Sequence, residues 1–214
     1  MAAPVEIAPG CLWWSGWLNR SGQEALAEEL RQLLLQAPLF TPRMPRTGTP
    51  FSVRMSNCGP LGWVSDVTGY RYQPSHPETG EPWPAMPLVL QSAWAELAGT
   101  PLAPEACLIN WYAPGTRMGL HQDRDEQEFG APVLSLSLGD TAVFRVGGTS
   151  RKDPTRSIRL VSGDALILAG PCRLAFHGID RIMPESSTLL KQPGRINLTL
   201  RRVNPAGSGE IPPR

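Results

Sequence analysis

Apolar residues recur at helical spacing in two places along the chain. Leu26, Leu30, Leu33 and Leu34 form one stripe within Ala25–Gln36, and Pro38 ends it. Just before it, Ser21-Gly-Gln-Glu24 has the form of a capping box, whose side chains satisfy the free N–H groups of a helix start. The second stripe, Leu90, Trp94 and Leu97, predicts a helix over Leu88–Leu97, stopped by Gly99 and Pro101. Between the two helices, Thr41–Pro87 is rich in proline, glycine and aromatic residues and reads as hairpins and loops.

From Cys107 onward the period falls to two. Strands are predicted at Cys107–Tyr112, Val133–Leu138, Thr141–Val146, Ser157–Val161, Ala165–Leu168, Leu174–His177 and Ile196–Val203. Gly139-Asp140, Gly147-Gly148 and Gly163-Asp164 mark turns between them. Many short strands with glycine turns predict a sandwich or jelly roll, with the two helices packed on one of its sheets.

Composition narrows the setting. With 214 residues, 41% of them hydrophobic and 18% charged, the chain can bury one core without disulfides. Most of the 23 prolines fall before residue 105, which argues for ordered, irregular connections there. No stretch approaches the roughly 18 apolar residues of a membrane span. The N-terminus MAAPVEIAPG lacks the basic and apolar regions of a secretory signal, so a cytoplasmic protein is expected. Cys11, Cys58, Cys107 and Cys172 are far apart, without a CxxC pair, and are expected to be free buried thiols. A net charge of only +1 means that a nucleic-acid partner would need a local basic patch.

There are three histidines. His121-Gln-Asp123 places an imidazole and a carboxylate two residues apart, on one side of an extended segment. His177 follows 54 residues after Asp123, at the end of the apolar run Leu174-Ala-Phe176. Two histidines and one carboxylate make the facial triad of non-haem Fe(II) oxygenases, which leaves coordination positions open for an oxo-acid and dioxygen. A surface histidine beside a solvated aspartate has the same HxD pattern, and His177 taken alone reads as a buried, hydrogen-bonded histidine. His76, in Pro74-Ser-His-Pro77, reads as a loop residue.

A second polar set lies near the end of the chain. In Arg195-Ile-Asn-Leu-Thr-Leu-Arg201, Arg195, Asn197, Thr199 and Arg201 share one strand face, and Ile196, Leu198 and Leu200 the other. If the apolar face meets the core, two arginines line a ligand-facing surface, about 20 Å apart at strand rise. That is near the reach of two long side chains holding a short diacid, and forked guanidinium donors suit carboxylates. An exposed polar strand face would look alike. The same alternation puts Asn110 and Tyr112 on one face of the first predicted strand.

Together, Asn110-Trp-Tyr112, His121-Gln-Asp123-Arg-Asp125, His177 and Arg195-x-Asn-x-Thr-x-Arg201 resemble the AlkB family of Fe(II)- and 2-oxoglutarate-dependent dioxygenases, which dealkylate nucleic acids. The likeness runs from about residue 5 to 203 and takes in Met55-Ser-Asn-Cys-Gly59, Leu61-Gly-Trp63 and Pro82-Trp-Pro-Ala-Met-Pro87. It implies a mainly β fold with flanking helices, a double-stranded β-helix or jelly roll. The implied divisions of this single domain are an N-terminal extension with a helix (1–40), a nucleotide-recognition lid (41–87), a helix plus the oxygenase core (88–203) and a disordered tail (204–214). The resemblance assigns iron to His121, Asp123 and His177. It assigns 2-oxoglutarate to Asn110, Tyr112, Arg195, Asn197 and Arg201, with Arg195 on the far carboxylate and Arg201 near the chelating one. Trp63, Tyr70 and Tyr72 would contact substrate through the lid, and Asp125 and Arg151 would border the base pocket. The implied reaction is oxidative demethylation of bases such as 1-methyladenine and 3-methylcytosine. It consumes O2 and 2-oxoglutarate and releases formaldehyde, succinate and CO2. The expected partner is alkylated single-stranded DNA, with duplex DNA and RNA as further targets, met by a monomer with no membrane association. Such lesions are cationic, which suits the Asp125 carboxylate, and Arg43, Arg46 and Arg54 offer the local basic patch. An oxygenase of the same fold acting on a protein or small molecule is the alternative, but it has no use for Trp63, Tyr70 and Asp125 together.

Overall fold

The computed structural model describes residues 3–207. In chain order the strands are β1 (Val5–Ala8), β2 (Cys11–Trp14), β3 (Arg54–Cys58), β4 (Gly62–Asp66), β5 (Gly69–Gln73), β6 (Ala106–Tyr112) and β7 (Met118–His121), then β8 (Val133–Gly139), β9 (Thr141–Val146), β10 (Arg156–Leu160), β11 (Ala165–Leu168), β12 (His177–Met183) and β13 (Arg195–Arg201). Helix α1 (Arg20–Gln36) precedes β3, and α2 (Leu88–Leu97) precedes β6. A seven-stranded sheet has the order β1-β2-β11-β8-β13-β6-β3, and a four-stranded sheet the order β10-β9-β12-β7. All pairs in both are antiparallel. The two face each other as a jelly roll, and β4 and β5 form a separate hairpin.

Alternation within the central strands decides what each face meets. Ile196, Leu198 and Leu200 of β13 join Cys107 and Ile109 of β6 and Leu134, Leu136 and Leu138 of β8 in one apolar cluster. Leu26, Leu30 and Leu33 of α1 and Leu90 and Trp94 of α2 complete it, so both helices back the larger sheet. The opposite faces of the same strands turn inward, where Leu108, Tyr112 and Val133 meet Phe144, Val146 and Ile179 of the smaller sheet. The polar row of β13 therefore faces the space between the sheets.

Helix α2 has the bounds its stripe predicts. Helix α1 starts earlier than expected, because Asn19 is its N-cap and accepts from the Gly22 N–H at 2.9 Å. The Ser21 hydroxyl donates to Asn19 Oδ1 instead of opening the helix itself. The strand predicted at Leu174–His177 is also displaced. A 3-10 turn occupies Gly170–Cys172, the Ala175 N–H returns to Cys172 O, and Phe176 pairs with the loop at Gly147 and Gly148, so β12 begins only at His177. Sequence periodicity gave no sign of β1, β2 and β7, which have four residues each. Within 41–87, β3 joins the larger sheet through β6.

The four cysteines are free and buried. Among the described residues no helix is long and apolar enough to cross a membrane. Of the expected disordered tail, 208–214 lie outside the described residues, while Asn204 is held by the Glu105 carboxylate at 2.7 Å. Removing the Asn19 cap by Asn19→Ala is expected to cost about 1 kcal/mol in urea unfolding, whereas Ser21→Ala costs only a few tenths. Equal losses would show that the cap is misassigned.

Candidate metal and cosubstrate centre

The cavity between the sheets, about 640 Å³, is lined by inward residues of both sheets and by Met44, Phe51, Trp63 and Tyr70 from the 41–87 segment. Within it His121, Asp123 and His177 present ligand atoms all within 4.8 Å of one another. Topology explains the convergence of residues so far apart in the chain. His121 ends β7 and His177 begins β12, and the two are direct partners across that strand pair. Their rings lie 4.5 Å apart at centroids. Asp123, two residues past the end of β7, lies 3.6 Å from each Nε2.

The backbone sets both rings. His121 Nδ1 is 3.0 Å from Gly119 O, and His177 Nδ1 is 3.0 Å from Ala175 O. A carbonyl only accepts, so each Nδ1 donates to it and each Nε2 is turned toward Asp123. Burial moves the His177 pKa down to about 4, although Asp123 opposes this, so its imidazole is neutral at physiological pH. Burial by itself would raise Asp123, but the guanidinium of Arg201, joined by that of Arg173, reverses the effect and holds it well below the usual carboxylate range. Two imidazoles held by backbone carbonyls and one ionised carboxylate, their ligand atoms all within 4.8 Å, fit a divalent, iron-type cation with open positions.

The two arginines of β13 have different surroundings. Arg201 Nη2 lies 2.8 Å from Asp123 Oδ1, and its Nη1 lies 2.7 Å from Glu126 Oε1. Arg195 is 1% exposed and donates from Nη2 to Ser137 Oγ at 2.9 Å, while its Nε and Nη1 have no protein partner. Its guanidinium lies 5.6 Å from the Tyr112 ring centroid, and burial moves its pKa down to about 10. A buried cation with two free donors fits a carboxylate, because leaving such donors unmatched is costly. Asn110 Oδ1 is also unpartnered. Asn197 also lines the cavity, but its amide is spent on Ser135 Oγ and Leu136 O.

Residues expected near a base divide. Asp125 is exposed at the cavity and accepts from Trp63 Nε1 at 2.8 Å. Trp63 stacks on Tyr70 with centroids 5.6 Å apart and planes 18° apart, a direct ring contact with no room for a base between. Arg151 lines the cavity, lies over the Phe176 ring and donates to Leu120 O. Tyr72 is not among the cavity-lining residues; its hydroxyl bonds to Glu126 and Arg201 instead. His76 is buried outside the cavity, its Nε2 at 2.8 Å from Pro38 O. Sequence reasoning missed Glu126 and Arg173. They meet across 47 positions of chain, and neither belongs to a periodic or spaced pattern.

Residues 10–201 match the 2OG-Fe(II) oxygenase superfamily. An alpha-ketoglutarate-dependent dioxygenase AlkB homolog of Caulobacter vibrioides is 55% identical over 206 residues, 96% of this chain and 93% of that protein. The chain belongs to the AlkB family. The AlkB of Escherichia coli is 41% identical over 184 residues, 84% of each chain. The solved structure of OsALKBH1 superposes with a TM-score of 0.80 at 30% identity, over 93% of this chain and 99% of that one. The AlkB-family chain is therefore an Fe(II)- and 2-oxoglutarate-dependent dioxygenase that uses O2 as cosubstrate.

Asp123→Ala is expected to abolish Fe(II)-dependent succinate formation, with near-native circular dichroism; full turnover at saturating iron would remove Asp123 from the centre. Arg195→Ala is expected to weaken 2-oxoglutarate by about 3–5 kcal/mol, at least a hundredfold in Kd. An unchanged 2-oxoglutarate titration by calorimetry would exclude that role.

Proposed function

We propose that the protein oxidatively demethylates cationic N-alkylated bases, of the 1-methyladenine and 3-methylcytosine type, in single-stranded DNA. The observation that carries this reading is the bond from Trp63 Nε1 to Asp125, beside the triad. It places an aromatic face and a solvent-exposed carboxylate together at the cavity. An aromatic face holds any base plane, worth about 1–3 kcal/mol, and the carboxylate favours a base that carries a positive charge. A base that cannot pair is also the least costly to bring out of a stack.

In this reading His121, Asp123 and His177 hold the iron, and Arg195, with Asn110 and Tyr112 beside it, holds the far carboxylate of 2-oxoglutarate. Iron and 2-oxoglutarate supply the oxidation, which consumes O2, leaves succinate and CO2 and releases the methyl group as formaldehyde. The chain's own part is placement. Trp63, backed by Tyr70, orients the ring plane, and Asp125 holds the cationic edge. The apolar cavity wall, including Phe144 and Ile179, limits water around the methyl group. The parts of 41–87 outside β3, the β4–β5 hairpin among them, act as the nucleotide-recognition lid. Arg43 and Arg54 there use part of their guanidinium donors on Gly48 O and Leu39 O, and the rest remain for phosphates. Four free thiols suit the reducing cytoplasm.

Because Asp125 also anchors Trp63, Asp125→Ala disturbs charge and stacking together. Asp125→Asn keeps an acceptor for the indole and removes only the charge. On matched single-stranded oligonucleotides, Asp125→Asn is expected to slow 1-methyladenine and 3-methylcytosine at least tenfold, by loss of about 1.4 kcal/mol or more, and to leave neutral 3-methylthymine nearly unchanged. Trp63→Ala is expected to weaken both classes alike. Equal losses on cationic and neutral lesions in Asp125→Asn would exclude the charge-reading role.

A further inference from the structure

Beside the triad lies a buried ionic network that the roles above leave unexplained. The Glu126 side chain has 0% exposure and that of Arg173 3%. Glu126 joins two guanidinium groups, with Oε1 at 2.7 Å from Arg201 Nη1 and Oε2 at 3.1 Å from Arg173 Nη2. Both arginines also hold Asp123. Arg173 Nη1 donates to its main-chain carbonyl at 2.7 Å, and Arg201 Nη2 lies 2.8 Å from its Oδ1. Arg173 Nε is fixed in turn on Ala131 O at 2.9 Å. Tyr72, which sits opposite Trp63 in the β4–β5 hairpin, accepts from Arg201 Nη1 at 3.0 Å and donates its hydroxyl proton to Glu126 Oε1.

We infer that Glu126, with Arg173 as its partner, is a positioning residue that sets the Asp123 carboxylate for the metal and ties the β4–β5 hairpin to it through Tyr72. The inference rests on reading Asp123 as a metal ligand. Two carboxylates, Asp123 and Glu126, balance two guanidinium groups, Arg173 and Arg201, so the network is neutral apart from the cation it adjoins. Without the Glu126 charge, one positive charge is in excess next to a site for a dication. Arg201 then has one carboxylate left to pair with, and draws harder on the oxygen that the metal needs. Both effects weaken metal binding, and both act in the folded protein. A merely structural Glu126 would lower stability and leave metal affinity where it was.

The test is an Mn(II) titration of the full chain with 2-oxoglutarate present and nucleic acid absent, following free Mn(II) by electron paramagnetic resonance. Glu126→Gln is expected to raise the Mn(II) Kd at least about tenfold, the usual scale for a residue that orients a metal ligand. Glu126→Asp keeps the charge on a shorter side chain and is expected to raise it less, by about two- to fivefold. Tyr72→Phe removes one hydroxyl and is expected to speed amide exchange across residues 62–73 several-fold. A Glu126→Gln Kd within about twofold of the parent, or a Glu126→Asp loss as large as that of Glu126→Gln, overturns the positioning role. Should Glu126→Gln not fold, Glu126→Asp at parity with the parent overturns it. Unchanged exchange in Tyr72→Phe overturns the tie to the hairpin. A parent protein that itself binds no Mn(II) overturns the metal reading and this inference with it, a result distinct from a parent and a variant that bind equally well.

Discussion

A carboxylate that is to serve a cation inside a protein must be buried and still ionised, and these demands conflict. Burial at Asp123 favours the protonated acid. The Arg201 guanidinium, 2.8 Å away, reverses that preference. Much of the architecture follows from putting one arginine there. Arg201 ends β13, so that strand has to turn its polar row into the space between the sheets. Its other face must then be apolar, and Ile196, Leu198 and Leu200 need cover on the outside of the larger sheet. Helices α1 and α2 supply it. The helical layer is thus the counterpart of a charged interior.

The same strand gives each arginine different surroundings. Both terminal nitrogens of Arg201 are on carboxylates of the protein and only its Nε lacks a partner, whereas Arg195, at the other end of the row, keeps both Nε and Nη1 without protein partners. A site that must fix its own acid and still capture a diacid needs one arginine of each kind. An alternating strand provides them on one face, at opposite ends.

Periodicity made the central strands legible, since β6, β8, β9, β11 and β13 each put apolar side chains on a helix-backed or sandwich-core face. It was silent on β7, a four-residue strand containing Gly119, although β7 is what sets His121 opposite His177. The triad was still readable, because its residue types and order carry the chemistry even where the strand that delivers them does not show. The Glu126–Arg173 pair was not. Its members are 47 positions apart, and an acidic residue after Arg124-Asp125 reads as one more solvated charge. For a related reason the sequence did not separate Tyr72, which is not among the cavity-lining residues, from Tyr70, which is. It lies two residues from Tyr70 on the same strand, and pattern alone cannot separate a cavity aromatic from one whose hydroxyl is drawn to a buried acid. Asn19 was passed over as a cap because Ser21-Gly-Gln-Glu24 matched a known motif two residues later.

Asp125 and Glu126 follow Asp123 by two and three residues, and their side chains diverge. One stands exposed at the cavity and holds the Trp63 indole; the other is fully buried and holds the Tyr72 hydroxyl. Trp63 and Tyr72 face each other across the β4–β5 hairpin. Three acids within four residues therefore meet the His121–Asp123–His177 cluster, the cavity-lining Trp63 and the hairpin that carries it. A shift of the hairpin cannot leave Asp123 untouched, because Tyr72, Glu126 and Arg201 form a continuous chain of hydrogen bonds ending on its Oδ1. The position of Trp63 and the geometry of Asp123 are on this account one mechanical unit. Its stiffness comes from desolvated, charge-assisted bonds, which hold geometry far more tightly than the apolar contacts around them.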